Sequence, residues 1–105
     1  MKKNNLKTRI KNNKPCFGVI SPTVDPIIAE YIGLLGMDFY MIDGEHGAIS
    51  ASDITNLIRA CELRGCTPLA RIRSVDHKLI LQYMDAGIMG VMMPSIDNAA
   101  DVRAL

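Results

Sequence analysis

The feature that most constrains this chain is a repeated switch in the period of its apolar residues. Short unbroken apolar runs alternate with segments whose apolar residues recur every three or four positions. Phe17-Gly18-Val19-Ile20, closed by Ser21-Pro22, reads as a buried strand. Ile27, Ile28, Tyr31, Ile32 and Leu35 then follow at helical spacing, with Asp25 as N-cap, Pro26 at the first helical position and Gly36 as the stop. Phe39-Tyr40-Met41-Ile42 is a second strand, running into Asp43-Gly44-Glu45-His46-Gly47. Ser50 with Asp53 makes a short capping box, with Ser52 as the other candidate cap. The helix it opens carries Ile54, Leu57, Ile58 and Cys61 and ends near Gly65. Pro68-Leu69-Ala70-Arg71-Ile72 is a third strand. Asp76 caps a helix with Leu79, Ile80, Tyr83 and Met84 that stops at Gly87. Gly90-Val91-Met92-Met93, ended by Pro94-Ser95, is a fourth strand, and Asp97 or Asn98 starts a last helix.

The order is therefore β-α-β-α-β-α-β-α. Strands that are continuously apolar, rather than alternating, belong to a parallel sheet covered by helices. The chain has 105 residues and four such units. A closed barrel of eight units needs roughly 200 residues or more. Four units fit either an open four-stranded domain or the first half of a (β/α)₈ barrel. A half-barrel exposes an apolar inner face and unpaired edges, so the isolated chain is expected to be marginal or self-associated. Methionines 41, 84, 89, 92 and 93 are expected to fill the core.

Charge is unevenly distributed. Residues 1–14 hold six Lys or Arg and no acid, and the remainder holds six basic residues against eleven acidic ones. Residues 1–14 are expected to be a polar, basic lead-in without order, and residues 15–105 the folded units. A net charge of +1 gives no basis for a nucleic-acid or anionic-membrane partner. No apolar run approaches the roughly 20 residues of a spanning helix. Cys16, Cys61 and Cys66 lack metal-ligand spacing and read as reduced thiols of a cytoplasmic protein. Gly-x-Gly-x-x-Gly and Gly-Lys-Ser/Thr motifs are absent, which removes support for the usual nucleotide sites.

In parallel α/β folds, ligands bind beyond the C-terminal ends of the strands. Ser21 lies at the end of strand one, and Asp43, Glu45 and His46 at the end of strand two. Arg71, with Arg73 and Ser74, lies at the end of strand three, and Ser95 and Asp97 follow strand four. His46 stands three residues from Asp43, within reach of its carboxylate across a tight turn, which would orient the imidazole as a base. The same residues also fit a polar loop with a solvated His. Arg71 interrupts an apolar run. Its planar donor fork suits the carboxylate or enolate oxygen of a small 2-oxoacid, or a structural ion pair to Asp43, Glu45 or Asp85. Asp85, at a helix C-terminus, opposes the helix dipole and calls for a compensating partner.

The stretch from Gly36 through Asp43-Gly44-Glu45-His46-Gly47 resembles the signature of the 2-dehydro-3-deoxyglucarate aldolase and 4-hydroxy-2-oxoheptanedioate aldolase family. Pro68 to Ile72 resembles its Arg-bearing strand, Tyr83 to Pro94 its Leu-Asp-x-Gly segment (with Met84 for Leu), and Gly18 to Pro22 its opening strand. The resemblance implies a (β/α)₈ barrel and a class II, metal-dependent aldolase that cleaves or forms 4-hydroxy-2-oxoacids through a pyruvate enolate. It implies His46 as general base oriented by Asp43, and Asp85 holding the acid–base cluster. It also implies Arg71 and Ser21 as substrate-binding residues, and Glu45 near the metal and its waters. Mg²⁺ or Mn²⁺ would serve as Lewis acid, bound by a Glu and an Asp of later strands beyond Leu105, so no direct metal ligand is expected in this chain. The partners implied are a 2-oxoacid, an aldehyde and further copies in a homo-oligomer, usually a hexamer. The expectation for residues 1–105 alone is an incomplete, inactive aldolase. The alternatives are a non-enzymatic half-barrel that serves as a structural or self-association module, and a small enzyme using His46 and Arg71 without the metal.

Overall fold

The computed structural model describes residues 3–105. Its elements run α1 (Asn5–Lys11), β1 (Gly18–Ser21), α2 (Pro26–Leu34), β2 (Phe39–Asp43), α3 (Ala51–Leu63), β3 (Thr67–Arg71), α4 (His77–Ala86), β4 (Val91–Met92) and α5 (Ala99–Ala104). The helix starts follow from local chemistry. The Asp25 side chain accepts the Ile27 N–H at 2.9 Å, with Pro26 at the first helical position of α2. Ser50 and Asp53 form a reciprocal capping box on α3, as Asn98 and Asp101 do on α5. Asp76 accepts from both Lys78 and Leu79 at the start of α4, and Gly87, left-handed at φ 113°, ends that helix.

The four strands are parallel and lie in the order β1-β2-β3-β4. Helices α2, α3 and α4 pack on one another in sequence. A doubly wound sheet reverses its strand order and carries helices on both faces. Here the order never reverses, which is the arrangement of consecutive units in a (β/α)₈ barrel. Tyr40, Ile42, Ala70 and Ile72 bury the helix-facing side of the sheet against Ile54, Leu57, Ile58 and Cys61 of α3 and Tyr83 of α4. The register places Ile20, Met41 and Leu69 in one row of the opposite face, and Asp43 beside Arg71 in the next row toward the strand ends.

That opposite face is partly covered by α1. Asn4 caps the helix by accepting the Lys7 N–H at 2.9 Å and donates from Nδ2 to the Met89 carbonyl at 3.1 Å. Arg9 pairs with Asp38 at 3.0 Å. Leu6 is buried and, with Ile10, borders a cavity of about 540 Å³ whose far side includes Met41 and Leu69. This corrects the reading of residues 1–14 as a disordered lead-in for its described part. In this mostly polar segment Leu6 is the buried anchor, while Ile10, one turn on, stays largely exposed at the cavity edge. Met1 and Lys2 lie outside the described residues. β4 is only two residues long, shorter than the apolar run at 90–93. Met84 and Met92 are exposed, not core. Ile20, at 44% exposure, stands on the uncovered part of the inner face, as Met92 does. Among the described residues, no helix is long and apolar enough to cross a membrane.

Leu57 is fully buried in α3. Leu57→Ala is expected to lower stability by about 2–5 kcal/mol, while Val102→Ala on exposed α5 changes it by less than about 0.5 kcal/mol. Denaturant unfolding of both variants measures the contrast, and similar losses would mean that α3 is not the hub of the core.

Candidate active site

The strand ends bring three charged residues and one imidazole together. Asp43 is the last residue of β2, and Arg71, the last of β3, is its register partner. Both sit on the sheet face turned away from α2, α3 and α4, because they continue the row parity of Met41 and Leu69. Arg71 Nε donates to Asp43 Oδ1 at 3.0 Å and Nη2 donates to Oδ2 at 2.6 Å, a bidentate pair. Asp43 is 4% exposed. Its Oδ1 also accepts the backbone N–H groups of Glu45 and His46, each at 3.1 Å, so one carboxylate clamps the turn that follows its own strand. The Arg71 guanidinium, aided by those two N–H groups against the opposing effect of burial, holds the Asp43 pKa down to about 2.

Glu45 places Oε2 at 3.3 Å from Arg71 Nε. His46 places Nδ1 at 3.3 Å from Arg71 Nη2 and Nε2 at 3.9 Å from Glu45 Oε1. A guanidinium can only donate, so Nδ1 meets it as the acceptor and the neutral ring carries its proton on Nε2. Arg71 is the ring's one hydrogen-bond partner among the described residues, and the His46 side chain is largely exposed. Asp43 holds only the His46 backbone, which corrects the expectation that it orients the ring. Arg71 Nη1 has no hydrogen-bond partner among the described residues.

The turn depends on close backbone approach. Gly44 N–H donates to the Arg71 carbonyl at 2.9 Å, and a Cβ at Gly44 would lie 2.9 Å from both that carbonyl and Tyr83 Oη. Tyr83 is the site residue that sequence reasoning missed. It sits on the apolar face of α4 and reads as ordinary core, yet its hydroxyl closes the space beside Gly44. Burial pushes its phenol pKa upward, opposed by Arg73.

Two sequence candidates are not brought to this cluster. Asp85 is exposed on α4 and makes no hydrogen bond or ion pair among the described residues. Ser21 pairs in register with Ile42, on the helix-facing side of the sheet, and its Oγ accepts the Thr23 N–H at 3.3 Å.

Ligand atoms of Asp43, Glu45 and His46 lie within 4.8 Å of one another. They do not fit a directly bound divalent ion. Both Asp43 oxygens are occupied, and the guanidinium stands where a cation would need to be. Mg²⁺ or Mn²⁺ asks for about six oxygen ligands, and Glu45 is the one carboxylate with spare capacity.

A rim of acid, arginine and histidine on consecutive parallel units narrows the comparison with known proteins. Residues 17–105 match the family model described as HpcH/HpaI aldolase/citrate lyase. The chain belongs to this family. It is 33% identical over 102 residues to the hydroxypyruvate/pyruvate aldolase of Agrobacterium fabrum, covering 97% of this chain and 38% of that protein. A crystal structure of an HpcH/HpaI aldolase/citrate lyase family protein from Burkholderia cenocepacia superposes with a TM-score of 0.88 at 26% identity, covering 97% of this chain and 41% of that one. The citrate synthase SbnG structure gives a TM-score of 0.85 at 32% identity, covering 91% and 39%. The chain thus spans about 38% of the length of such HpcH/HpaI relatives, and its four units correspond to the N-terminal half of their barrel.

In the folded chain, Asp43 ionises below its ordinary 3.8. A depressed folded pKa contributes stability that is fully present above the unfolded value and is lost as pH falls from about 4 through about 2. Carboxyl ¹³C titration is expected to place the Asp43 midpoint near 2, and Arg71→Leu to move it upward. A midpoint that ignores the substitution would mean the pair does not form in solution.

Proposed function

We propose that this chain supplies the base and the oxoacid anchor of a carbon–carbon lyase that cleaves or forms 4-hydroxy-2-oxoacids through a pyruvate enolate. One observation carries this reading. Arg71 is fixed along one edge by Asp43, while its Nη1 has no hydrogen-bond partner among the described residues and His46 Nδ1 lies 3.3 Å from its Nη2. Family membership supports the reaction class. The hydroxypyruvate/pyruvate aldolase of Agrobacterium fabrum supports an oxoacid as the substrate class.

Nη1 of Arg71 suits an oxygen of a 2-oxoacid, and the fixed guanidinium plane would orient it. An acid held there lies next to Nδ1 of His46. In the cleavage direction the C4 hydroxyl displaces the Arg71 N–H from His46 Nδ1 and passes its proton to that nitrogen. The C3–C4 bond breaks, the aldehyde leaves, and the electron pair moves to the C2 oxygen as an enolate. The positive charge of Arg71 stabilises that oxygen, and its fixed position avoids reorganisation as the charge develops. Protonation at C3 then gives pyruvate. Asp43 acts at one remove, since it keeps Arg71 planar to the rim and the 44–47 turn closed. A divalent ion has no complete ligand set among the described residues.

The proposal is tested by a chimera in which residues 17–105 replace the matching part of the Agrobacterium fabrum relative. Pyruvate release from a 4-hydroxy-2-oxoacid, in buffer containing Mg²⁺ or Mn²⁺, is expected from the chimera and not from residues 1–105 alone. His46→Ala or Arg71→Ala in the chimera is expected to cost about 10²–10⁴-fold in kcat/KM. A chimera that folds and turns over equally well with both substitutions would remove these residues from the mechanism.

A further inference from the structure

At the rim opposite the candidate site, the turn from α3 to β3 sets two cysteines side by side. The Cys66 N–H donates to the Cys61 carbonyl at 3.0 Å, and the Gly65 N–H donates to the Glu62 carbonyl at 3.3 Å. Gly65 is left-handed, with φ of 71°. These are the nested bonds of a Schellman closure, in which the first and sixth residues touch through their side chains. Here that pair is Cys61 and Cys66. A side-chain contact of this kind is what a disulfide needs, since it bridges Cα atoms about 4.4–6.8 Å apart. The backbone is pinned on both sides, because the Thr67 N–H donates to the Asp38 carbonyl at 2.9 Å and a Cβ on Gly33 of α2 would meet the Cys66 Cβ at 3.4 Å.

We propose that Cys61 and Cys66 are an oxidation site, a thiol pair that a hydroperoxide converts to an intramolecular disulfide across the α3–β3 turn. Both are free thiols here, and both are buried. Cys66 borders a cavity of about 220 Å³ with Lys3, Asn5 and Thr67, which is large enough to admit a hydroperoxide. The neighbouring thiol pushes the Cys66 pKa down and, with burial, the Cys61 pKa up. Cys66, which lines the cavity while Cys61 does not, is the sulfur oxidised first. Its thiolate displaces hydroxide from the peroxide O–O bond, forming a sulfenic acid, and that hydroxide takes a proton to become water. Cys61 sulfur then attacks Cys66 sulfur and expels the second hydroxide, which leaves as water with the Cys61 proton. Two thiols lose two electrons and the peroxide gains them. Cys16 stands apart, with its thiol donating to the Lys14 carbonyl at 3.5 Å.

The test uses the purified chain, oxidised with hydrogen peroxide, then unfolded, alkylated and mapped by mass spectrometry. The expected product is about 2 Da lighter before alkylation, with Cys61 and Cys66 linked and Cys16 alkylated. In Cys61→Ala, which has no resolving thiol, Cys66 is expected to accumulate as a sulfenic acid that dimedone traps. Recovery of all three cysteines alkylated would overturn the proposal. So would linkage only through Cys16, or wild-type Cys66 passing to the sulfinic acid unlinked.

Discussion

The ion pair between Asp43 and Arg71 is the interaction on which the rest of the rim depends. It joins two strands whose partners lie 28 residues apart in sequence, one register step beyond the buried Ile42–Ala70 pair. Removing either partner would leave a charge that is buried or nearly so, which is far more costly than the modest net gain of forming the pair. The same carboxylate holds the two N–H groups of the turn. Strand register, turn shape and guanidinium orientation are therefore one cooperative unit, and the imidazole is placed by it at second hand.

The two faces of the sheet explain why such a unit sits where it does. The helix-facing side is filled by Tyr40, Ile42, Ala70 and Ile72 and has no room for unpaired charge. The inner side is apolar at its lower row, where α1 lies over it, and polar at the strand ends. A polar group on that side can stay solvated on one flank and paired on the other. This is the same division that makes the C-terminal rim of a parallel barrel its reactive end.

Much of this was legible in the sequence, and the reason is that the legible parts are local. Caps at Asp25, Ser50 and Asp76 are read from neighbouring residues, and the unbroken strands announce a parallel sheet. The site itself was only half legible. Asp43, His46, Glu45 and Arg71 could be assigned to one rim from topology alone, and an Arg71 ion pair to Asp43 or Glu45 was one of two readings the sequence left open. Sequence proximity favours Asp43 with His46, whereas register favours Asp43 with Arg71, and the charge-assisted bidentate pair wins over a ring contact that the turn would have to bend to make. Ser21 failed by parity, since one residue's difference in register turns a side chain to the other face. The helix α1 was hidden because its stability comes from what Leu6 touches, not from its own composition.

The most direct test of the central claim is amide hydrogen exchange at Glu45 and His46 in the wild-type chain and in Asp43→Ala. If the Asp43 carboxylate clamps the turn as described, both amides are protected in the wild type, and the substitution raises their exchange by about tenfold or more while leaving α3 amides unchanged. Equal exchange in the two proteins, or a rise spread evenly over the whole chain, would contradict the claim that this one carboxylate organises the rim.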